Sequence, residues 1–136
     1  LGAERPKVAL IHCTEKVSEK FPHTLSYESM KEMARNGEYG DCCVDGPMDV
    51  KTACDSDSGA IKGISSPVVG NADALIFPNI ESGNVFYKTL TLFAKAETAG
   101  MLCGTTAPIV VASRADSGES KFNSLALACL ADKVNK

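Results

Sequence analysis

The sequence predicts an α/β protein with a mostly parallel sheet and flanking helices, and three observations carry that expectation. Short apolar runs at residues 7–12, 42–44, 74–77 and 109–112 each stop at polar or Gly/Pro-rich residues, as strands buried on both faces do. Segments of helical period lie between them, so strands alternate with helices. The residues that follow each run are unusually polar, the pattern of a ligand-binding edge beyond the carboxyl ends of parallel strands.

Taken in order, Lys7–His12 reads as the first strand. The helix after it starts with Ser26 as N-cap, puts Tyr27, Met30 and Ala34 on one face and stops at Asn36-Gly37. Cys42–Val44 closes this strand-helix-strand unit, and Ala74–Phe77 is the third strand. A second helix is predicted from about Asn84 to Thr98, because Phe86, Leu90, Phe93 and Glu97 recur at helical spacing, with Gly100 ending it. Ile109–Ala112 reads as a fourth strand. The last helix is predicted to begin near Ser117 or Gly118 and to turn Phe122, Leu125, Leu127 and Leu130 inward, with Glu119 in its positive first turn.

The totals narrow the function classes. A length of 136 residues suits one compact domain with a real core. Apolar residues make up 44% and charged residues 23%, which argues against disorder and fibrous repeats. Net charge is −3 with Lys and Arg scattered, so neither a nucleic-acid nor an anionic-membrane surface is expected. No apolar run approaches the ~20 residues that span a bilayer. The opening Leu-Gly-Ala-Glu-Arg-Pro has no initiator Met and no basic-then-apolar pattern, so no signal peptide is expected and the sequence reads as a piece of a longer chain. Of the six cysteines, Cys103 and Cys129 sit among aliphatic residues and are expected as core thiols in a reduced, cytoplasmic protein. There is no C-x-x-C pair, and the adjacent Cys42-Cys43 cannot chelate one ion, so no metal is expected.

Candidate chemistry lies after the strands: His12-Cys13-Thr14, Asp45-Gly46-Pro47, Pro78-Asn79-Ile80-Glu81-Ser82-Gly83-Asn84 and Ser113-Arg114-Ala115-Asp116-Ser117, which should converge on one edge. Arg114 follows a strand and precedes a helix, where free backbone N–H groups and a planar guanidinium fork suit a phosphate. The plainer alternative pairs Arg114 with Asp116 or Glu119 and leaves Ser117 as a cap. Asp45-Gly46-Pro47 taken alone reads as a turn, and Gly83-Asn84 as a cap or a short anion loop. Asp55–Gly59 resembles a calcium loop, but Ser66 stands where a bidentate Glu is needed, so it reads as a solvated acidic loop. His12 and His23 stand apart from any obvious nucleophile, and no Ser/His/Asp triad is visible.

In combination the motifs say more. Val44-Asp45-Gly46-Pro47, Lys62-Gly63-Ile64, Gly70-Asn71-Ala72-Asp73, Phe77-Pro78-Asn79, Gly83-Asn84, Tyr87-Lys88 and Ser113-Arg114-Ala115-Asp116-Ser117, in this order and spacing, resemble the phosphate acetyl/butyryltransferases. The resemblance runs from about Pro6 to Leu130, and its wording is nearer to the butyryl branch. It implies reversible transfer of butyryl or acetyl between coenzyme A and inorganic phosphate, with acyl-CoA as substrate, no metal and no covalent acyl-enzyme. It also implies an isocitrate/isopropylmalate dehydrogenase-like fold of two lobes, in an oligomer that is at least a homodimer. This chain would supply the C-terminal portion, with about residues 6–104 forming one lobe and about 105–136 a strand and helix returning to the other.

By the same resemblance Arg114 binds the phosphoryl group, Ser113 hydrogen-bonds the developing oxyanion or phosphate, and a carboxylate helps deprotonate the CoA thiol. The acetyl-branch aspartate falls where this chain has Ser120, which leaves Glu119 and Asp116 as the carboxylates at hand. Asp45, Gly46, Pro47, Asn79, Gly83, Asn84 and Lys88 match motifs that bind or shape the cleft. Two rivals differ in class: an oxidoreductase of the same architecture, for which no nicotinamide or divalent-metal motif is found, and a non-catalytic ligand-binding or dimerisation lobe.

Overall fold

β1 (Lys7–Ile11) carries the most deeply buried run of the chain, with Ala9 and Leu10 wholly inaccessible. A strand flanked on both sides needs apolar residues on both faces, and Ala9, Leu10 and Ile11 supply them. It pairs in parallel with β2 (Cys43–Met48) on one side and β3 (Ala74–Ile76) on the other, in the order β2-β1-β3. The parallel α/β layering expected from the alternation is therefore present. The computed structural model describes the backbone of residues 2–134 and the side chains of residues 2–131. The chain divides into two compact units, Leu1–Asn84 and Val85–Lys136.

α1 (Pro22–Arg35) starts earlier than the Ser26 cap predicts. Proline fits the first helical turn because its φ is pre-set and its missing N–H has no partner there to lose. Thr24 Oγ1 fixes the entry by donating to Phe21 O at 2.7 Å and accepting from Ser18 N at 2.9 Å. The stop falls as expected, with Asn36 at the cap and Gly37 at φ +79°. Tyr27 and Ala34 are buried, and the Tyr27 hydroxyl donates to Ile11 O at 2.9 Å, which ties α1 to the end of β1.

Asp45-Gly46-Pro47 does not follow a strand as expected but lies within β2, which continues to Met48 opposite Ile11. β2 is an edge strand, where a residue without an N–H can be accommodated. The register shifts here, the Gly46-Pro47 peptide is cis, and Gly46 has φ +147°. A Cβ at Gly46 would stand 2.6 Å from Leu10 O, so a side chain is excluded both by conformation and by space.

The segment read as a solvated acidic loop is helical. Asp49 caps α2 (Val50–Cys54) by accepting from Thr52 N at 2.7 Å, and Asp55 caps α3 (Ser56–Lys62) by accepting from Asp57 N at 3.1 Å. Val68, Val69, Met48 and Ala53 complete the core against β1, each large side chain contributing about 1.5–3 kcal/mol by burial. Asp73 then locks β3 in place, accepting from Lys7 N at 2.8 Å while its own N–H donates to Lys7 O.

α4 (Ile80–Phe93) also begins earlier than predicted, because Asn79 rather than Gly83-Asn84 caps it: Asn79 Oδ1 accepts from Ser82 N at 2.9 Å. The helix stops at Phe93, ahead of the left-handed Lys95 at φ +54°, so Gly100 is not its terminator. The predicted strand at 109–112 is absent among the described residues. Ile109 makes one antiparallel bridge with Leu102, and Pro108 beside it has no N–H to extend a ladder.

α5 (Gly118–Val134) starts where expected, but its buried face differs from the prediction. Ser124 and Ala128 are buried, whereas Phe122, Leu125 and Leu130 are 69%, 59% and 57% exposed and Leu127 is half-buried. Small residues one turn apart admit the 98–100 segment: Gly100 N donates to Ser124 Oγ at 3.0 Å, and Ser124 Oγ donates to Ser120 O at 2.7 Å. Cys103 and Cys129 are exposed, not core thiols, and all six cysteines are free.

Candidate functional site

In the first unit, the connection leaving β1 runs to β2 while β3 lies on the other side of β1, so the topological switch point falls between the carboxyl ends of β1 and β3. A crevice of about 580 Å³ opens there, bounded by Ile11, His12, Cys13, Asp49, Phe77 and Ser82. The two expected segments after β1 and β3 thus share one edge. Asp45 does not join them: its carboxylate lies 3.7 Å from Lys31 Nζ on α1 and accepts from Gly46 N at 2.8 Å.

Charge at this edge is concentrated in one cluster. Lys62, at the last turn of α3, is bonded to both Glu15 and Asp49. Burial alone would raise Asp49, but the Lys62 hydrogen bond, the Thr52 N–H and the Lys62 charge outweigh it and hold the carboxyl below its ordinary value. The same two carboxylates raise Lys62. His12 is not as isolated as its sequence position implies, since Cys13 Sγ is 3.5 Å from His12 Nδ1. Burial, with the charge of His23, pushes the imidazole below its ordinary value, and the ring packs edge-on against Phe21 at 5.0 Å.

In the second unit a concavity of about 620 Å³ is lined by Tyr87, Lys88, Lys95, Asp116, Glu119 and Ser120. Asp116 organises it. Ser113 N donates to Asp116 Oδ2 at 2.7 Å, the Tyr87 hydroxyl donates to Asp116 Oδ1 at 2.9 Å, and Lys88 Nζ stands 3.7 Å from Oδ1 while lying 4.4 Å over the Tyr87 ring. The Ser113 N–H is the largest cause holding Asp116 below its ordinary value; burial opposes it, and Tyr87, Lys88 and Lys121 reinforce it.

Arg114 is exposed and makes no ion pair or hydrogen bond among the described residues, so the alternative pairing with Asp116 or Glu119 is not seen. Its guanidinium fork is available for an anion. Ser117 caps α5, with Ser120 N donating to Ser117 Oγ at 3.1 Å. Ser120 has its hydroxyl between Ser117 Oγ at 3.1 Å and Thr98 Oγ1 at 3.3 Å. Glu119 lies exposed in the first turn of α5.

Asn79 is used as a helix cap, Gly83 and Asn84 lie within α4 rather than at its start, and Lys88 sits beside Asp116. Sequence reasoning missed Lys62, Asp49 and Glu15 as a cluster and Tyr87 as a partner of Asp116. The Lys62-Gly63 pair was the available signal for the first, since a left-handed glycine at φ +66° ends α3 just after the lysine. Among the described residues no group of three or more His, Cys, Asp or Glu is arranged to hold a metal ion, and no helix is long and apolar enough to cross a membrane.

A family model described as phosphate acetyl/butaryl transferase matches residues 1–129. The phosphate butyryltransferase of Clostridium acetobutylicum is 45% identical over 130 residues, covering 96% of this chain and 43% of that protein. The phosphate acetyltransferase of Thermotoga maritima is 42% identical over 130 residues, covering 96% of this chain and 44% of that protein. Among solved structures, a branched-chain phosphotransacylase from Enterococcus faecalis superposes with a TM-score of 0.82 at 38% identity, covering 94% of this chain and 46% of the other. The chain thus spans less than half the length of the relatives it matches.

Proposed function

The chain belongs to the phosphate acetyl/butaryl transferase family, and from that premise we propose that the protein of which it forms part transfers a butyryl or acetyl group between coenzyme A and inorganic phosphate. In the direction of acyl-CoA synthesis, the CoA sulfur attacks the acyl-phosphate carbonyl, a C–S bond forms, and the C–O bond to phosphate breaks. The thiol proton passes to a carboxylate, and phosphate leaves with its electron pair. Arg114 offsets the phosphoryl charge, Ser113 donates to the developing oxyanion, and Glu119 or Asp116 takes the proton.

The observation that carries this reading is Arg114 without an internal partner, beside a Ser113 whose N–H is fixed by Asp116. Asn79, Gly83 and Asn84 in the first unit and Lys88 in the second are each assigned substrate-binding or shaping roles, as are Asp45, Gly46 and Pro47 of β2.

The test is phosphate-dependent release of CoA from butyryl-CoA and acetyl-CoA by the full-length protein and its Arg114→Ala variant. A fall of about 10²–10³-fold in kcat/KM, roughly 3–4 kcal/mol, is expected for removal of one anion-stabilising group. No turnover by the full-length protein with either substrate overturns the reading. Residues 1–136 alone are expected to fold but turn over negligibly, because they span less than half of the matched relatives.

The protein is further proposed to work in the cytoplasm as a homo-oligomer, at least a dimer. Ile80 at 83% and Phe93 at 78% exposure are the kind of apolar surface that association covers. A strictly monomeric species by light scattering at high concentration would contradict this.

A further inference from the structure

We propose that Tyr87 and Asp116 are positioning residues that together hold Ser113 and Arg114 in place, so that Asp116 is a clamp and the thiol proton goes to Glu119. This deepens the transferase reading and rests on it for the roles of Ser113 and Arg114. The geometry of the clamp stands without it.

Both Asp116 oxygens are already committed. Oδ2 accepts the Ser113 N–H at 2.7 Å, across the turn in which Asp116 N donates to Ser113 O at 3.2 Å. Oδ1 accepts the Tyr87 hydroxyl at 2.9 Å and faces Lys88 Nζ at 3.7 Å. A carboxylate bonded to two donors beside a cation is favoured in its ionised form, and those bonds must be given up or weakened for it to accept a proton. The side chain is only 16% exposed, which also restricts its approach to a substrate thiol.

Arg114 lies between the two ends of this turn. Its backbone is therefore fixed from both sides while its side chain remains exposed. Tyr87 contributes from α4, 29 residues away in sequence, so it converts a local turn into one anchored to a helix. Lys88 over the Tyr87 ring fixes that ring in turn. Glu119, exposed in the first turn of α5 and lining the same concavity, has no such commitments among the described residues.

Tyr87→Phe and Asp116→Asn in the full-length protein test this, with two independent readouts. Amide exchange across residues 113–117 is expected to speed up by about tenfold or more in both variants and to stay unchanged in Arg114→Ala. Unchanged exchange in Tyr87→Phe and Asp116→Asn overturns the clamp, whether or not the protein turns over acyl-CoA. In the pH profile of kcat/KM, Asp116→Asn is expected to keep its acid limb at a rate lowered by about 10–100-fold, and the double variant to be no worse than Asp116→Asn alone. Loss of the acid limb in Asp116→Asn with exchange unchanged identifies Asp116 as the proton acceptor and overturns the proposal. Failure of the unmodified protein to transfer acyl groups removes the transferase reading, while the exchange result still decides the clamp.

Discussion

β1 and the segment from Ser113 to Ser117 are held in opposite ways. Around β1, order comes chiefly from apolar burial: Ala9 and Ile11 pack with Met48, Val68 and Val69 and Leu10 is wholly buried, while backbone pairing with two neighbours and the Tyr27 and Asp73 side-chain bonds supply the polar contribution. Around Ser113 almost nothing apolar is buried, and order comes from a few side-chain hydrogen bonds, two of them to Asp116. Burial is non-directional and forgiving, whereas a hydrogen-bonded turn fixes particular atoms at particular distances. A scaffold can be built on the first, but a residue that must meet a phosphate needs the second.

The sharpest way to break this contrast is to truncate each region in turn. Leu10→Ala is expected to cost about 2–5 kcal/mol, read as a drop in urea midpoint, because it leaves a cavity where a wholly buried side chain of the central strand stood. Gly46→Ala should follow at about 1–3 kcal/mol from its positive φ, with the close approach to Leu10 O adding to it. Ser124→Ala should cost about 1 kcal/mol and act locally, freeing Gly100 N without disturbing the sheet. If Ser124→Ala proved as damaging as Leu10→Ala, the separation into a burial-held and a hydrogen-bond-held region would collapse.

The smallest effect sharpens it through pH. Asp49 is depressed in the folded state, so its contribution is present above its unfolded value and is lost as pH falls through the folded one. Lys62 is raised, so its contribution is present below its unfolded value and is lost as pH rises through the folded one. Urea midpoints of the parent chain should therefore dip at both ends of the scale, and Lys62→Met should flatten both dips. Equal pH profiles for the two would show that the cluster does not contribute to stability.

The same contrast explains what could be read from the sequence. β1 and β3, the Asn36-Gly37 stop and the start of α5 were legible because burial and capping leave local patterns. Phe122, Leu125 and Leu130 were misread as inward because their helical spacing shows only that one face is apolar, not that a partner covers it. The stripe that packs is Ser120, Ser124 and Ala128, small residues one turn apart, and hydroxyls seldom look like core. Asp45-Gly46-Pro47 looked like a turn because a strand with Gly and Pro is tolerated only at an edge, and edge position is a property of the whole sheet. Of the proposed site, Arg114 and Ser113 were visible as residues, whereas the Tyr87 bond to Asp116 spans 29 residues and leaves no periodic trace.

Pro47 has a consequence for growth of the sheet. It removes one donor from the edge strand β2, and the register shift beside it takes the strand out of regular pairing. Any further strand, from this chain or another, finds that border interrupted near its carboxyl end. The border at β3, Ala74–Ile76, carries no proline, so of the two edges it is edge-to-edge pairing through β2 that a single ring disfavours.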